Sequence, residues 1–356
     1  TQPALPGVTL PTTSVIVQQK GSALPQSPVR KKQPQHAKQA ATKLLGVGFL
    51  LTLLYLAMYP LFTAVGNKPL NQVFYVQFPW LPHLFWTSWA SFLVQGLNHI
   101  SIFDLSNAST PTAVANGYPN LLLAFFVLAF VLVFIASHVG KQVAHKRLTP
   151  KDRSLLFWTV SLLACVFGVI FIFAPAVMSQ DIFLYATYGR MASFYNINPF
   201  VVSPTATVTG LFQSIIQEKG LGVAHYGPLW IDMTLPVVLV ARANMVTILF
   251  GFRLLGFIFY LADAMLIWAI LAKLKPEICI AGVILFAWNP LVLLLSVSEV
   301  HFEIVVITFL LLGTLFFQRR SFLASWVFIL LATLLNVFCL LLMPIFLKLL
   351  WKETRG

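Results

Sequence analysis

The sequence predicts an all-α fold, a polytopic transmembrane helical bundle of about eight spans with one further segment that dips in and returns. Three observations carry this. Of 356 residues, 59% are hydrophobic and only 9% charged, whereas a soluble domain carries about 25% charged residues. Mean hydropathy is +0.86. Several apolar runs are continuous and reach the roughly 20 residues a helix needs to cross a bilayer core. A membrane β-barrel would instead show short alternating segments, and a helix satisfies its own backbone in lipid.

Taken in order, residues 1–43 are rich in Pro, Gln, Ser and Thr. They carry Lys20, Arg30, Lys31, Lys32, Lys38 and Lys43 and no acid. Such a segment buries too little apolar surface to fold, and is expected to be a disordered basic cytoplasmic tail. The remainder, 44–356, forms the transmembrane domain. Spans are expected at 44–64, 121–139, 154–175, 244–272, 278–295 and 302–317. Residues 228–241 are apolar but too short to cross straight through. Residues 321–347 are too long for one upright span and are expected to form a bent pair.

Orientation follows from the basic residues, which favour the cytoplasmic side. The loop GKQVAHKRLTPKDR (140–153), the KLKPE at 273–277, the QRR at 318–320, the tail and the final KETR all lie inside together on two conditions. Segment 228–241 must be re-entrant on the outer side and 321–347 must be bent. That arrangement puts 18 of the 23 Lys and Arg inside. The net charge of +13 therefore belongs to loops facing an anionic leaflet, and nucleic acid is not an expected partner. Cys165, Cys279 and Cys339 lie within apolar runs and show no metal-type spacing. Trp80, Trp86 and Trp89 in FPWLPHLFWTSW read as an interfacial belt, and Asn107-Ala108-Ser109 as a sequon in form only.

Six of the ten acids then fall on the outer side: Asp104, Asp181, Glu218, Asp232, Glu299 and Glu303. Asp181 opens SQDIFLYATYGR directly after the apolar run 154–175, with Tyr185, Tyr188 and Arg190 behind it and Asn198-Pro199 further on. HYGPLW brings His225, Tyr226 and Trp230, and SVSEVHFE brings Glu299, His301 and Glu303. Glu299 and Glu303, at i and i+4 on one helix, would share a face and offer a pair of ligands for a divalent cation. His301 and Glu303, two apart, would point away from each other. Arg253, about six turns from the inner end of its span, is expected in the outer half, paired with an acid or a phosphate. Asp263 lies deeper and has no assigned partner.

These residues resemble a known family. APAVMSQDIFLYATYGRMASFYNINPF is similar to the signature loop of the bacterial polyprenyl-phosphate-mannose-dependent α-1,6-mannosyltransferases, of the GT-C superfamily of membrane glycosyltransferases. Tyr226-Gly227-Pro228-Leu229, Arg253-Leu254-Leu255, Asn289-Pro290-Leu291-Val292 and a His-x-acid at His301-Phe302-Glu303 follow in the family's order. The resemblance spans about 44–350. It departs where the family has His-Asn-Asp instead of His301-Phe302-Glu303, and Lys instead of Asn336. The family's chains also continue through further spans, which leaves a fragment, a short divergent member and an inactive relative all open.

The resemblance implies a GT-C-like fold and a multi-pass enzyme of a bacterial-type plasma membrane. It would transfer mannose with inversion from a polyprenyl-phosphate donor to a glycan or glycolipid acceptor on the outer face. Asp181 falls on the family's early-loop aspartate and would be the general base. Arg190 or Arg253 would hold the departing phosphate. Tyr185, Tyr226 and Trp230 would stack on sugar faces or line a lipid groove, although packing at the bilayer boundary accounts for each aromatic equally well. Asn198, Glu299, His301 and Glu303 complete the expected substrate-binding set, the last two toward sugar hydroxyls or a metal. A transporter of lipid-linked sugars is the alternative from another class, because broken helices and intramembrane charges suit it too.

Overall fold

A computed structural model describes residues 34–65, 111–144, 148–174, 179, 181–204 and 222–355. Every element among them is helical: α1 (Pro34–Ala57), α2 (Tyr59–Val65), α3 (Pro111–Ala144), α4 (Pro150–Ile172), α5 (Asp181–Phe194), α6 (Pro228–Ala241), α7 (Met245–Leu274), α8 (Cys279–Ala287), α9 (Pro290–Leu293), a π-turn (Leu294–Ser298), α10 (Glu303–Gln318), α11 (Phe322–Leu335), a 3₁₀ turn (Val337–Leu342) and α12 (Met343–Arg355). The three-tryptophan segment, the Asn107 sequon, Asp104 and Glu218 lie outside the described residues.

Among the described residues four helices are long and apolar enough to cross a membrane: 36–62, 118–144, 150–172 and 245–274. A fifth forms if the pair 279–287 and 290–298, bent by 50°, counts as one span. Residues 228–241, 303–318 and 322–335 are shorter apolar helices. The chain is thus a helical membrane protein, and four or five of the expected spans lie among the described residues. Helix α1 starts at Pro34, so residues 34–43, expected to be disordered, are helical; residues 1–33 lie outside the described residues.

Local chemistry sets the boundaries. Helix α4 begins at a capping box in the basic loop. Thr149 Oγ1 accepts from the Asp152 N–H, Asp152 Oδ2 accepts from the Thr149 N–H, and Pro150 sits at the first helical position. Asn244 caps α7 by accepting from the Thr247 N–H at 3.0 Å. The bend after α8 follows from Asn289-Pro290. Asn289 Oδ1 takes the N–H groups of Leu291 and Val292 at 2.9 and 3.4 Å. These would otherwise have bonded the carbonyls of Ala287 and Trp288. In lipid those carbonyls need other donors. Tyr260 donates to Ala287 O, and Tyr55 donates to Trp288 O at 2.5 Å.

One core cluster surrounds Tyr55, Phe167, Phe171 and Trp288; a second surrounds Tyr185, Trp230, Phe252 and Val300. Helix α7 joins them and gives the bundle its direction. Arg253 near its start bonds Ile172 O at the end of α4 and Ser298 O at the end of the π-turn. Lys273 at its other end donates to Gln318 O, at the end of α10. The basic loop ends thus gather at one end of the bundle. Asp181, Glu299, His301 and Glu303 gather at the other.

Candidate active site

The site is built from two helix starts and two chain breaks. Ser179 Oγ accepts from the Asp181 N–H at 3.0 Å, so the serine in SQDIFLY opens α5 and makes Asp181 its first residue. The Ser179 N–H in turn donates to Glu299 Oε2 at 2.9 Å. Glu299 is buried, at 1% exposure, and also acts on the Arg253 charge. It therefore lies behind the site as an anchor.

Beyond the π-turn the chain reverses sharply. Val300 takes φ of 53°, a left-handed conformation uncommon for a β-branched residue, and His301 N donates back to Leu295 O at 2.8 Å. Helix α10 restarts at Glu303. This break corrects two expectations. Glu299 precedes the break and Glu303 opens α10, so the two do not share a helix face. His301 and Glu303 converge, because His301 is not on the helix: His301 Nδ1 lies 3.9 Å from Glu303 Oε2.

His301 Nδ1 also lies 3.6 Å from Asp181 Oδ2. Two carboxylates, each the first residue of a helix, thus face one imidazole. The partial positive ends of α5 and α10 favour the negative charge on both. Asp181 is the more enclosed, with its side chain 19% exposed against 55% for Glu303. All three line a cavity of about 810 Å³ with Tyr185, Tyr188, His225 and Tyr226. That volume suits a sugar-sized ligand with attached groups.

The far wall is the break between α11 and the 3₁₀ turn at Asn336, whose Oδ1 caps the turn by accepting from the Phe338 N–H at 3.0 Å. HYGPLW docks on this break through its glycine. The Gly227 N–H donates to Leu335 O at 3.1 Å, and an added Cβ would meet Leu334 O at 1.9 Å. Backbone cannot yield as a flexible side chain does. Gly227→Ala is therefore expected to cost about 1–3 kcal/mol, read as a lowered melting temperature in detergent together with weakened ligand binding at the displaced wall.

The floor is aromatic. Tyr185 packs edge-on against Tyr226 and Trp230, with centroids at 4.8 and 5.0 Å, and Phe302 covers Tyr226 at 5.4 Å. Burial pushes the Tyr185 phenol well up, with Tyr226, Asp181 and Glu303 adding to it. Tyr226 is raised by burial and then by Asp181, Tyr188 and Glu303. Both remain neutral proton donors at physiological pH. Trp230 Nε1 is buried without a hydrogen-bond partner among the described residues, and the Tyr185 hydroxyl sits beside Tyr226 and the Phe302 backbone.

A family model, the N-terminal domain of alpha-(1→6)-mannopyranosyltransferases, matches residues 87–353. The chain belongs to that family. It is accordingly a glycosyltransferase of the mannosyltransferase class, with a sugar donor and a glycan acceptor as the substrates that class uses. No curated protein and no solved structure matches it.

Among the mannosyltransferase residues singled out in the sequence, Asp181, Tyr185, Tyr226, His301 and Glu303 line the cavity. Trp230 lies under its floor. Arg190 and Arg253 do not line it. Arg190 is nine residues along α5, roughly 13 Å from Asp181, where it donates to Arg242 O at the end of α6 and lies 5.5 Å over Phe194. Arg253 is wholly buried as a backbone clamp. Asn198 is exposed and closes its own turn by accepting from the Phe200 N–H. Tyr188, His225 and Asn336 line the cavity without having been placed in the candidate set. For Asn336 the available signal was its departure from the family's lysine. Among the described residues no group of three or more His, Cys, Asp or Glu is arranged to hold a metal ion.

Proposed function

We propose that this mannosyltransferase takes mannose from a polyprenyl-phosphate donor and passes it, with inversion, to a hydroxyl of a glycan or glycolipid acceptor at the outer membrane face. The observation that carries this reading is the meeting of Asp181, His301 and Glu303 at one large cavity over an aromatic floor. A lipid-borne donor explains why the catalyst is a membrane bundle: its tail stays in the bilayer while its headgroup reaches a cavity at the bundle end. Asp181 takes the proton from the acceptor hydroxyl as that oxygen bonds the anomeric carbon. The bond from that carbon to the phosphate oxygen breaks, and polyprenyl phosphate leaves with the electron pair. The transition state has oxocarbenium character. His301, held between two carboxylates, orients Asp181 and, when protonated, presents positive charge to the phosphate. The buried Tyr185 hydroxyl offers a further donor to substrate oxygens.

Two measurements test this. The purified chain, given a mannoside acceptor, is expected to turn over with polyprenyl-phosphate mannose and not with a nucleotide-linked mannose. Turnover with only the nucleotide sugar would remove the lipid-donor reading. In intact cells Val223→Cys, on the exposed cavity rim, is expected to react with a membrane-impermeant maleimide while Lys275→Cys, at the basic end, does not. The reverse pattern would place the cavity on the cytoplasmic face.

A further inference from the structure

A second cavity lies at the opposite, basic end of the bundle and has no part in the chemistry above. It encloses about 500 Å³ between the start of α1 and the end of α3. His36, Gln39, Ala40 and Lys43 line it from α1; His138, Val139, Lys141, Gln142 and Val143 line it from α3. The α1 residues recur at i, i+3, i+4 and i+7, and His138, Lys141 and Gln142 at i, i+3 and i+4, so each set occupies one helix face. Ala40 and Val143 are buried and make an apolar base. Gln142 Nε2 and His138 Nε2 are 2.9 Å apart, which orders one side of the rim.

Among the described residues no carboxylate lines this cavity. Two ammonium groups, two imidazoles and two amides face one space, so its charge calls for an anion. The same helix faces turn apolar away from the rim. On α1 the face of Lys43 continues through exposed Leu50 and Leu53; on α3 the face of His138 continues through exposed Ile135, Phe134 and Val131. Cationic and amide donors above apolar stripes match a molecule with a phosphate head and hydrocarbon chains.

We infer that this cavity binds the headgroup of an anionic phospholipid, with Lys43 and Lys141 contacting the phosphate and the lipid chains lying along α1 and α3. Phosphate is the shared chemistry of lipid and soluble phosphate; the apolar stripes select the lipid. Full-length protein in neutral detergent, titrated with phosphatidylglycerol and followed by native mass spectrometry, is expected to take up one lipid saturably. Phosphatidylcholine is expected to bind at least tenfold more weakly. Lys43→Gln with Lys141→Gln should weaken phosphatidylglycerol roughly 10- to 30-fold, since each lysine near anionic lipid contributes a factor of about five. Lys151→Gln with Lys275→Gln removes equal charge from exposed sites at the same end and should leave binding unchanged. Equal loss in both double variants would mean general surface charge and overturn the site. Unchanged binding in the Lys43/Lys141 variant, equal affinity for phosphatidylcholine, or displacement of the lipid by millimolar inorganic phosphate would overturn it as well.

Discussion

Asp181→Asn is expected to lower turnover of polyprenyl-phosphate mannose by about 10²–10⁴-fold, the range a positioned general base contributes, with little change in melting temperature. The substitution keeps the size and the start of α5, because the hydrogen bond there runs from the Asp181 N–H to Ser179 Oγ and does not use the carboxylate. What it removes is the proposed proton acceptor and one of the two charges facing His301. The pair is partly solvated, so its loss costs the fold no more than about 1 kcal/mol. The drop should fall on kcat more than on KM, since the base acts in the transition state. Full turnover by the variant, measured against wild type on one acceptor, would remove Asp181 from the chemistry. Glu303→Gln is the natural comparison. Its carboxylate faces the same imidazole from a more exposed position, and a larger loss there would move the base to Glu303.

Arg253→Met is expected to be the most damaging single change to stability, on the order of 3–5 kcal/mol. The guanidinium is wholly buried. It donates through Nε to Ser298 O at 3.0 Å and through Nη1 to Ile172 O at 2.7 Å, tying together the end of α4 and the end of the π-turn. Methionine fills most of the volume and leaves both carbonyls, and the Glu299 charge, without this donor. Arg253→Lys should recover little, because one ammonium cannot reproduce the guanidinium fork toward two elements. Detergent melting curves check this directly. The experiment also decides between two roles. If Arg253 held the donor phosphate, the variant would keep its melting temperature and lose donor affinity. As a clamp between Ile172 and Ser298, it should lose melting temperature first.

Much of the fold was legible because membrane helices announce themselves locally. The runs at 154–175 and 244–272 appear as α4 and α7 within a few residues, and 228–241 appears as α6 with the same bounds. Thr149-Pro150 and Asn289-Pro290 mark a helix start and a restart by chemistry confined to four residues. The number of full spans was less legible, since composition alone does not tell a crossing helix from a shorter apolar one buried against neighbours. Residues 303–318 and 322–335 are of the second kind in length.

The candidate site divides along a physical line. The sequence alone pointed to a helical membrane protein, to basic loops at one end with Asp181, Glu299, His301 and Glu303 at the other, and to Asp181, Tyr185, Tyr226, His301 and Glu303 as the residues to watch. Those are consequences of hydropathy, of charge placement and of ordered motifs. Tertiary structure alone decided the division of labour among the charged groups. Arg253 and Glu299 pass behind the cavity as a buried anchor, Arg190 faces the far end of α6, and His301 swings between two acids. For His301 the cause is the reversal at Val300, which takes it off the helix that spacing assigns to it and sets it between Asp181 and Glu303; for Arg190 it is the nine-residue rise along α5. A helical period predicts faces only while the helix continues, and this one stops for four residues, 299–302, beside the candidate site.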